Sequence, residues 1–173
     1  MEPPLTPSFK VVIIGDENVG KTSLVRQLCE HKFETSQTPS RVVDFHIKPV
    51  ELPDGWVKIT IWDVAGPARF QVVRESFYPG CTAAALVFDL STHITFDHLE
   101  GWLEEIRKVV PQIKILLVGN KKDIEHSSPV NLSTFLKKEV LIPYIETSAK
   151  TSEGVEEMFT LLANEAHSAS KSQ

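Results

Sequence analysis

Gly15-Asp16-Glu17-Asn18-Val19-Gly20-Lys21-Thr22 follows the order G-x-x-x-x-G-K-[ST], which suits the holding of phosphate. Glycines at both ends let backbone N–H groups curl around phosphate oxygens. Lys21 can reach the β- and γ-phosphates, and the Thr22 hydroxyl can ligate Mg²⁺. Glu17, Asn18, Val19, Gly20 and Ser23 belong to the same candidate nucleotide-binding loop. Two further clusters extend the chemistry. In Asp63-Val64-Ala65-Gly66 the carboxylate can hold Mg²⁺ through water and the Gly66 amide can reach a γ-phosphate. In Asn120-Lys121-Lys122-Asp123 the Asp123 carboxylate can accept from both N1–H and N2–H₂ of guanine. Adenine has no such donor pair and would leave the carboxylate unpaired, so this cluster favours GTP and GDP over adenine nucleotides.

Each cluster needs an element to carry it, and hydrophobic patterning supplies one. Phe9–Ile14 reads as a strand running into Gly15, and Lys21–Glu30 reads as a helix with Leu24, Val25 and Leu28 on one face. Val42–Leu52 and Trp56–Trp62 flank Pro53-Asp54-Gly55 and read as a hairpin. Ala83–Phe88 and Ile113–Val118 are short apolar runs typical of strands covered on both faces, and Leu141–Ile145 reads as the last strand. Phe96, Leu99, Leu103 and Ile106 predict one helix with Thr95 capping its start and Pro111 beyond its end; Val155, Met158, Phe159 and Leu162 predict another. Both stripes read as core. Alternation of this kind implies an α/β fold, a six-stranded mostly parallel sheet with one antiparallel edge strand and helices on both faces. Ligands belong beyond the carboxyl ends of its strands.

Length and composition agree with one such domain. The 173 residues are 42% hydrophobic and 24% charged, enough for a single core without disulfides. Cys29 and Cys81 form neither a C-x-x-C pair nor a ligand cluster, which suits a reducing, cytoplasmic setting. The net charge of −5 and the lack of any five-residue basic block argue against nucleic-acid binding. No apolar run approaches the ~20 residues of a spanning helix, and no signal peptide, myristoylation site or C-terminal prenylation cysteine is present in this chain. Residues 1–8 read as a flexible lead-in, 9–167 as the domain and 168–173 as a flexible tail. The histidines, among them His46, His93, His98 and His126, lack metal-ligand spacing and read as surface or satisfied residues.

Together these motifs resemble a small GTPase of the Ras superfamily, closest to its Rab-like branch. The likeness covers residues 9–167 and includes Glu146-Thr147-Ser148-Ala149-Lys150, Val43-Asp44-Phe45-His46-Ile47-Lys48, Trp62-Asp63, and Thr95-Phe96 leading to Gly101-Trp102-Leu103. It implies a guanine-nucleotide switch of the kind used in signalling and vesicle trafficking, with GTP/GDP and Mg²⁺ as ligands. By the same resemblance the Ala149 amide contacts guanine O6, Ser148 and Lys150 belong to the base loop, Lys121 lies against the base and Phe33 packs edge-on to it. Residues 38–45 and 66–78 become switch segments that meet effector, exchange-factor and GTPase-activating proteins, with the domain itself a monomer.

Three positions depart from the family pattern. Pro67 stands where glutamine usually orients the attacking water, and proline has neither the side-chain amide nor a backbone N–H. Among the residues placed for catalysis, Lys21, Gly66 and Pro67, the last therefore implies very slow GTP hydrolysis unless Gln71 or a partner's side chain substitutes. Glu17 replaces a small residue near the γ-phosphate and either repels phosphate or turns to solvent. Ser40 aligns with the threonine that closes over Mg²⁺, with Thr38 as the alternative ligand; serine keeps the hydroxyl and loses the stiffening methyl. An alternative reading is thus a hydrolysis-deficient, GTP-locked or nucleotide-insensitive interaction module. A P-loop ATPase or small-molecule kinase is disfavoured by Asp123.

Overall fold

In a computed structural model the chain is described over residues 5–35, 41–127, 129 and 131–172. Six strands form one sheet in the order β2-β3-β1-β4-β5-β6. They are β1 (Ser8–Ile14), β2 (Val43–Leu52), β3 (Gly55–Val64), β4 (Cys81–Asp89), β5 (Lys114–Asn120) and β6 (Tyr144–Glu146). All neighbours pair in parallel except the β2/β3 hairpin, whose ladder runs from Val43↔Val64 to Leu52↔Gly55 and leaves β2 as the antiparallel edge. The sheet is the one the sequence patterning implies.

Alternation along each central strand feeds two cores, because successive side chains point to opposite faces. Val11 and Ile13 of β1 pack with Ile59 and Ile61 of β3 under α1 (Lys21–Glu30) and α6 (Val155–Lys171). Val12 and Ile14 pack on the other face with α3 (His93–Asp97), α4 (Leu99–Val109) and Phe135 of α5 (Leu132–Lys138). The remaining helix, α2 (Gln71–Phe77), follows a 3₁₀ turn at Ala68–Phe70.

Several boundaries differ from the sequence reading. The helix expected from Thr95 to Ile106 is two helices broken at His98, and Thr95 lies inside the first of them. Its hydroxyl accepts the Asp89 N–H at 2.9 Å, so it secures the end of β4 and does not cap a helix. The last strand is shorter than Leu141–Ile145 suggests: Leu141 is 83% exposed and pairing begins at Tyr144. Ser8, assigned to the lead-in, is paired with Lys58 in the sheet. At the other end α6 continues through Lys171, beyond the expected domain edge at 167, and Lys171 reaches Asp54 of the hairpin turn at 2.6 Å.

Candidate nucleotide site

The carboxyl ends of β1, β3 and β5 bring the three motif clusters to one edge of the sheet. β1 ends at Ile14, and the phosphate-loop segment 15–20 turns into α1, whose start is Gly20 in a left-handed conformation with φ 98°. The close packing of this loop explains its glycines. A Cβ on Gly15 would lie 2.2 Å from the Val87 carbonyl oxygen, and one on Gly20 would lie 2.3 Å from Asn120 Nδ2. No acidic side chain occupies the first turn of α1 and no side chain caps its start, the charge pattern of a helix end that suits an anion.

Lys21 is buried at the centre of the loop, its Nζ donating to the carbonyls of Gly15 at 2.8 Å and Asp16 at 2.7 Å. Burial draws its pKa down to about 8, against the opposing pull of Asp63 and Asp16. Next to it the Thr22 hydroxyl donates to Asp63 Oδ2 at 2.6 Å, although the two residues are 41 positions apart. Burial raises the Asp63 carboxyl above its ordinary value, with the Thr22 hydrogen bond and Lys21 working the other way. A hydroxyl beside a carboxylate is a hard-oxygen pair of the kind Mg²⁺ takes when phosphates and water complete its shell. Thr22 and Asp63 therefore fit Mg²⁺. Ser40 and Thr38 lie outside the described residues.

On the other side of the loop, Ser23, Phe33, Asn120, Lys121, Asp123, Ala149 and Lys150 line a pocket of about 250 Å³. Asn120 connects its walls. The side chain donates to the Val19 carbonyl at 2.9 Å and accepts from the Thr147 hydroxyl at 3.1 Å and from the Ala149 N–H at 3.3 Å. Asp123 accepts a 2.6 Å hydrogen bond from the buried Ser148 hydroxyl, which fixes its carboxylate at the mouth of the pocket. Lys121, in a left-handed conformation with φ 67°, pairs with the buried carboxylate of Asp89 at 2.7 Å. Asp89 has no motif to mark it in the sequence.

The Ras family model matches residues 10–168. "Ras-related protein Rab-19" of Mus musculus is 37% identical over 161 residues, covering 91% of this chain and 74% of the relative. "Ras-related protein Rab-1A" of Dictyostelium discoideum is 36% identical, with 95% and 83% covered, and "Ras-related protein RABA1c" of Arabidopsis thaliana is 36% identical, with 92% and 75% covered. The chain belongs to the Ras family. It is a Rab-like small GTPase.

Two of the three positions read in the sequence as departures from the family pattern, Glu17 and Pro67, lie among the described residues. Glu17 is exposed and makes no hydrogen bond or ion pair among the described residues, so its carboxylate faces solvent at the rim of the phosphate loop. Gly66 sits hard against that loop: a Cβ there would come within 2.5 Å of Glu17 N and 2.7 Å of the Gly15 carbonyl oxygen. Pro67 follows with φ −54° and ψ 139°. Gln71, read in the sequence as a candidate to orient the attacking water, donates along its own helix to Glu75 at 3.1 Å. A cleft of about 850 Å³ opens beside these residues, between the loop, α2 and α4.

Two features of the GTPase have no counterpart in the motif reading. His98, read as a surface or satisfied residue, is both: its side chain is half exposed and its Nδ1 lies 2.6 Å from Asp16 Oδ2, while Trp102 Nε1 donates to Asp16 Oδ1 at 2.8 Å. The loop is thereby anchored to α4. A row of aromatic rings also crosses the outer face of the hairpin into α2. Phe45, 51% exposed, meets Trp62 edge-on at 4.4 Å between centroids, and Trp62 lies 5.8 Å from Phe77. The odd-numbered alternation of β2 foreshadows this face, but its junction with α2 is a tertiary property.

Proposed function

We propose that this Rab-like protein is a Mg²⁺-dependent guanine-nucleotide switch with very slow intrinsic hydrolysis. The observation that carries the reading is the Asp123 carboxylate held by Ser148 at the pocket mouth, on the same sheet edge as the buried Lys21. Backbone N–H groups of residues 15–20 and the Lys21 ammonium would receive the phosphates. Thr22 and, through water, Asp63 would hold Mg²⁺, which neutralises phosphate charge when bound. Asp123 would accept from guanine, with Phe33, Lys121, Ala149 and Lys150 around the base.

Hydrolysis needs an oriented water, and neither Pro67 nor Gln71 is placed to orient it. Pro67 has no donor, and Gln71 directs one amide N–H along its own helix to Glu75. That pair favours a second reading, a largely GTP-locked module reset by exchange or by a partner, whose side chain would enter through the cleft beside Gly66. The aromatic row of Phe45, Trp62 and Phe77, together with residues 38–45 and 66–78, forms the proposed surface for effectors and regulators. We place the protein in the cytoplasm as a monomer serving vesicle trafficking, at the membrane periphery where an anchor is supplied.

The test is to identify the nucleotide released from purified protein and then follow one turnover of loaded GTP. We expect guanine nucleotide, and an increase of about tenfold or more in single-turnover rate for Pro67→Gln, since a positioned proton-handling group contributes roughly that much or more. Release of adenine nucleotide would refute the base assignment. Equal rates in both proteins would show that Pro67 is not what limits hydrolysis.

A further inference from the structure

Arg74 of α2 is the most heavily engaged side chain near the site, and no motif accounts for it. It is 2% exposed. Nε and Nη2 donate to the two oxygens of Glu105, both at 2.9 Å, a bidentate pair with α4. Nη1 faces the opposite way, towards three consecutive carbonyls: Ala65 at 3.0 Å, Gly66 at 3.2 Å and Pro67 at 2.8 Å. The guanidinium also stacks on Trp102 at 4.4 Å from the ring centroid, the same Trp102 whose indole N–H holds Asp16 of the phosphate loop. Tyr78 completes the cluster by donating to Glu105 at 2.6 Å.

The consequence lies at the Ala65–Gly66 peptide. No described peptide bond is cis, and in a trans peptide the carbonyl and the N–H point to opposite sides. With the Ala65 carbonyl drawn towards Arg74, the Gly66 N–H faces away from α4, while Gly66 itself rests on Glu17 N of the phosphate loop. The preceding amide is fixed as well, Ala65 N donating to the Val42 carbonyl at 2.9 Å. The orientation of the Gly66 amide is therefore set by Arg74 of α2 and its anchor on α4.

We propose that Arg74, anchored by Glu105, is a positioning residue that orients the Gly66 amide for the γ-phosphate and so sets the preference of the site for triphosphate over diphosphate. The proposal rests on the switch reading given above. Neither residue lines the base pocket, and neither touches the Lys21 or Thr22 side chain through any hydrogen bond or ion pair described here. Loss of the clamp therefore acts chiefly through the Gly66 amide, and so on the third phosphate more than on the first two. Arg74→Lys keeps the charge but lacks the fork that spans Glu105 and the carbonyls; Glu105→Gln keeps the shape and removes the ionic anchor.

The experiment measures dissociation constants of fluorescent (N-methylanthraniloyl) GDP and the corresponding GTPγS analogue with Mg²⁺, for the unaltered protein and each variant. The expected result is a GTPγS constant raised about tenfold, the equivalent of roughly one charge-assisted hydrogen bond, with the GDP constant within about twofold. Amide exchange of Ala65 and Gly66 should rise in the same variants. Equal weakening of both nucleotides would mark a structural role only, and unchanged constants would show that the clamp does not orient the amide; either overturns the proposal. Should Arg74→Lys fail to fold, Glu105→Gln alone decides, because it removes the ionic anchor that aims the guanidinium at the carbonyls while keeping a side chain of the same shape beside Tyr78. An unaltered protein that binds neither nucleotide would overturn the switch reading, and the positioning role with it.

Discussion

Lys21 carries a positive charge into a place where water cannot follow, and the protein's own carbonyls only partly replace that water. Its pKa of about 8 measures that deficit. Phosphate oxygens would restore the charged form, raising the pKa on binding. Above pH 8, then, nucleotide binding takes up a proton and affinity falls as pH rises; near pH 6.5 the ammonium is already formed and Lys21 contributes no uptake. Calorimetry of GDP binding at pH 8.5 in buffers of different ionisation enthalpy should reveal the uptake, and identical heats after buffer correction would show that Lys21 does not meet phosphate. Asp123 makes the complementary test at the base. Asp123→Asn should weaken GDP binding and improve binding of xanthosine diphosphate, whose ring replaces a donor with an acceptor; unchanged GDP affinity would remove Asp123 from the base pocket.

At the scale of elements, Asn120 decides whether the loops after β1, β5 and β6 act together. Two separate chain segments end on its buried amide, the loop after β1 through Val19 and the loop after β6 through Thr147 and Ala149. Asn120→Ala would leave several buried polar groups unpaired, so we expect unfolding free energy to fall by about 2 to 4 kcal/mol in urea titrations. Both GDP and GTP analogue should dissociate faster by a similar factor, unlike the selective effect expected at Arg74. The contrast also explains what the sequence could and could not disclose. Asn120 and Lys21 sit in local patterns because a strand end, a glycine and a helix start fix their geometry within a few residues. Arg74 and Glu105 are 31 positions apart and Asp16 and Trp102 are 86 apart, so no spacing rule connects them. Likewise the six strands and their one hairpin were legible in the alternation, whereas the strand order, the break at His98 and the brevity of β6 depend on packing against other elements.

For the whole molecule, a chain of net charge −5 that binds an anion must do so against its long-range field. The attraction has to be local: the start of α1, Lys21, and the Mg²⁺ that Thr22 and, through water, Asp63 are proposed to hold. Folding and binding are consequently linked, because the loop that receives phosphate joins β1 to α1 across the centre of the sheet, and its ligand groups come together only in the folded state. Ligand at a thousandfold its dissociation constant adds about 4 kcal/mol by mass action. For a domain of this size that corresponds to a melting temperature higher by roughly 8 to 16 °C. We expect GDP with Mg²⁺ to produce a rise of this order in differential scanning fluorimetry of nucleotide-stripped protein, and EDTA to remove most of it. ADP with Mg²⁺ offers the same phosphates without the guanine donors, so the gap between the two curves isolates what Asp123 and its pocket contribute. Superimposed GDP and ADP curves would mean that the phosphate loop acts alone, and the assignment of guanine would fall while that of nucleotide stood.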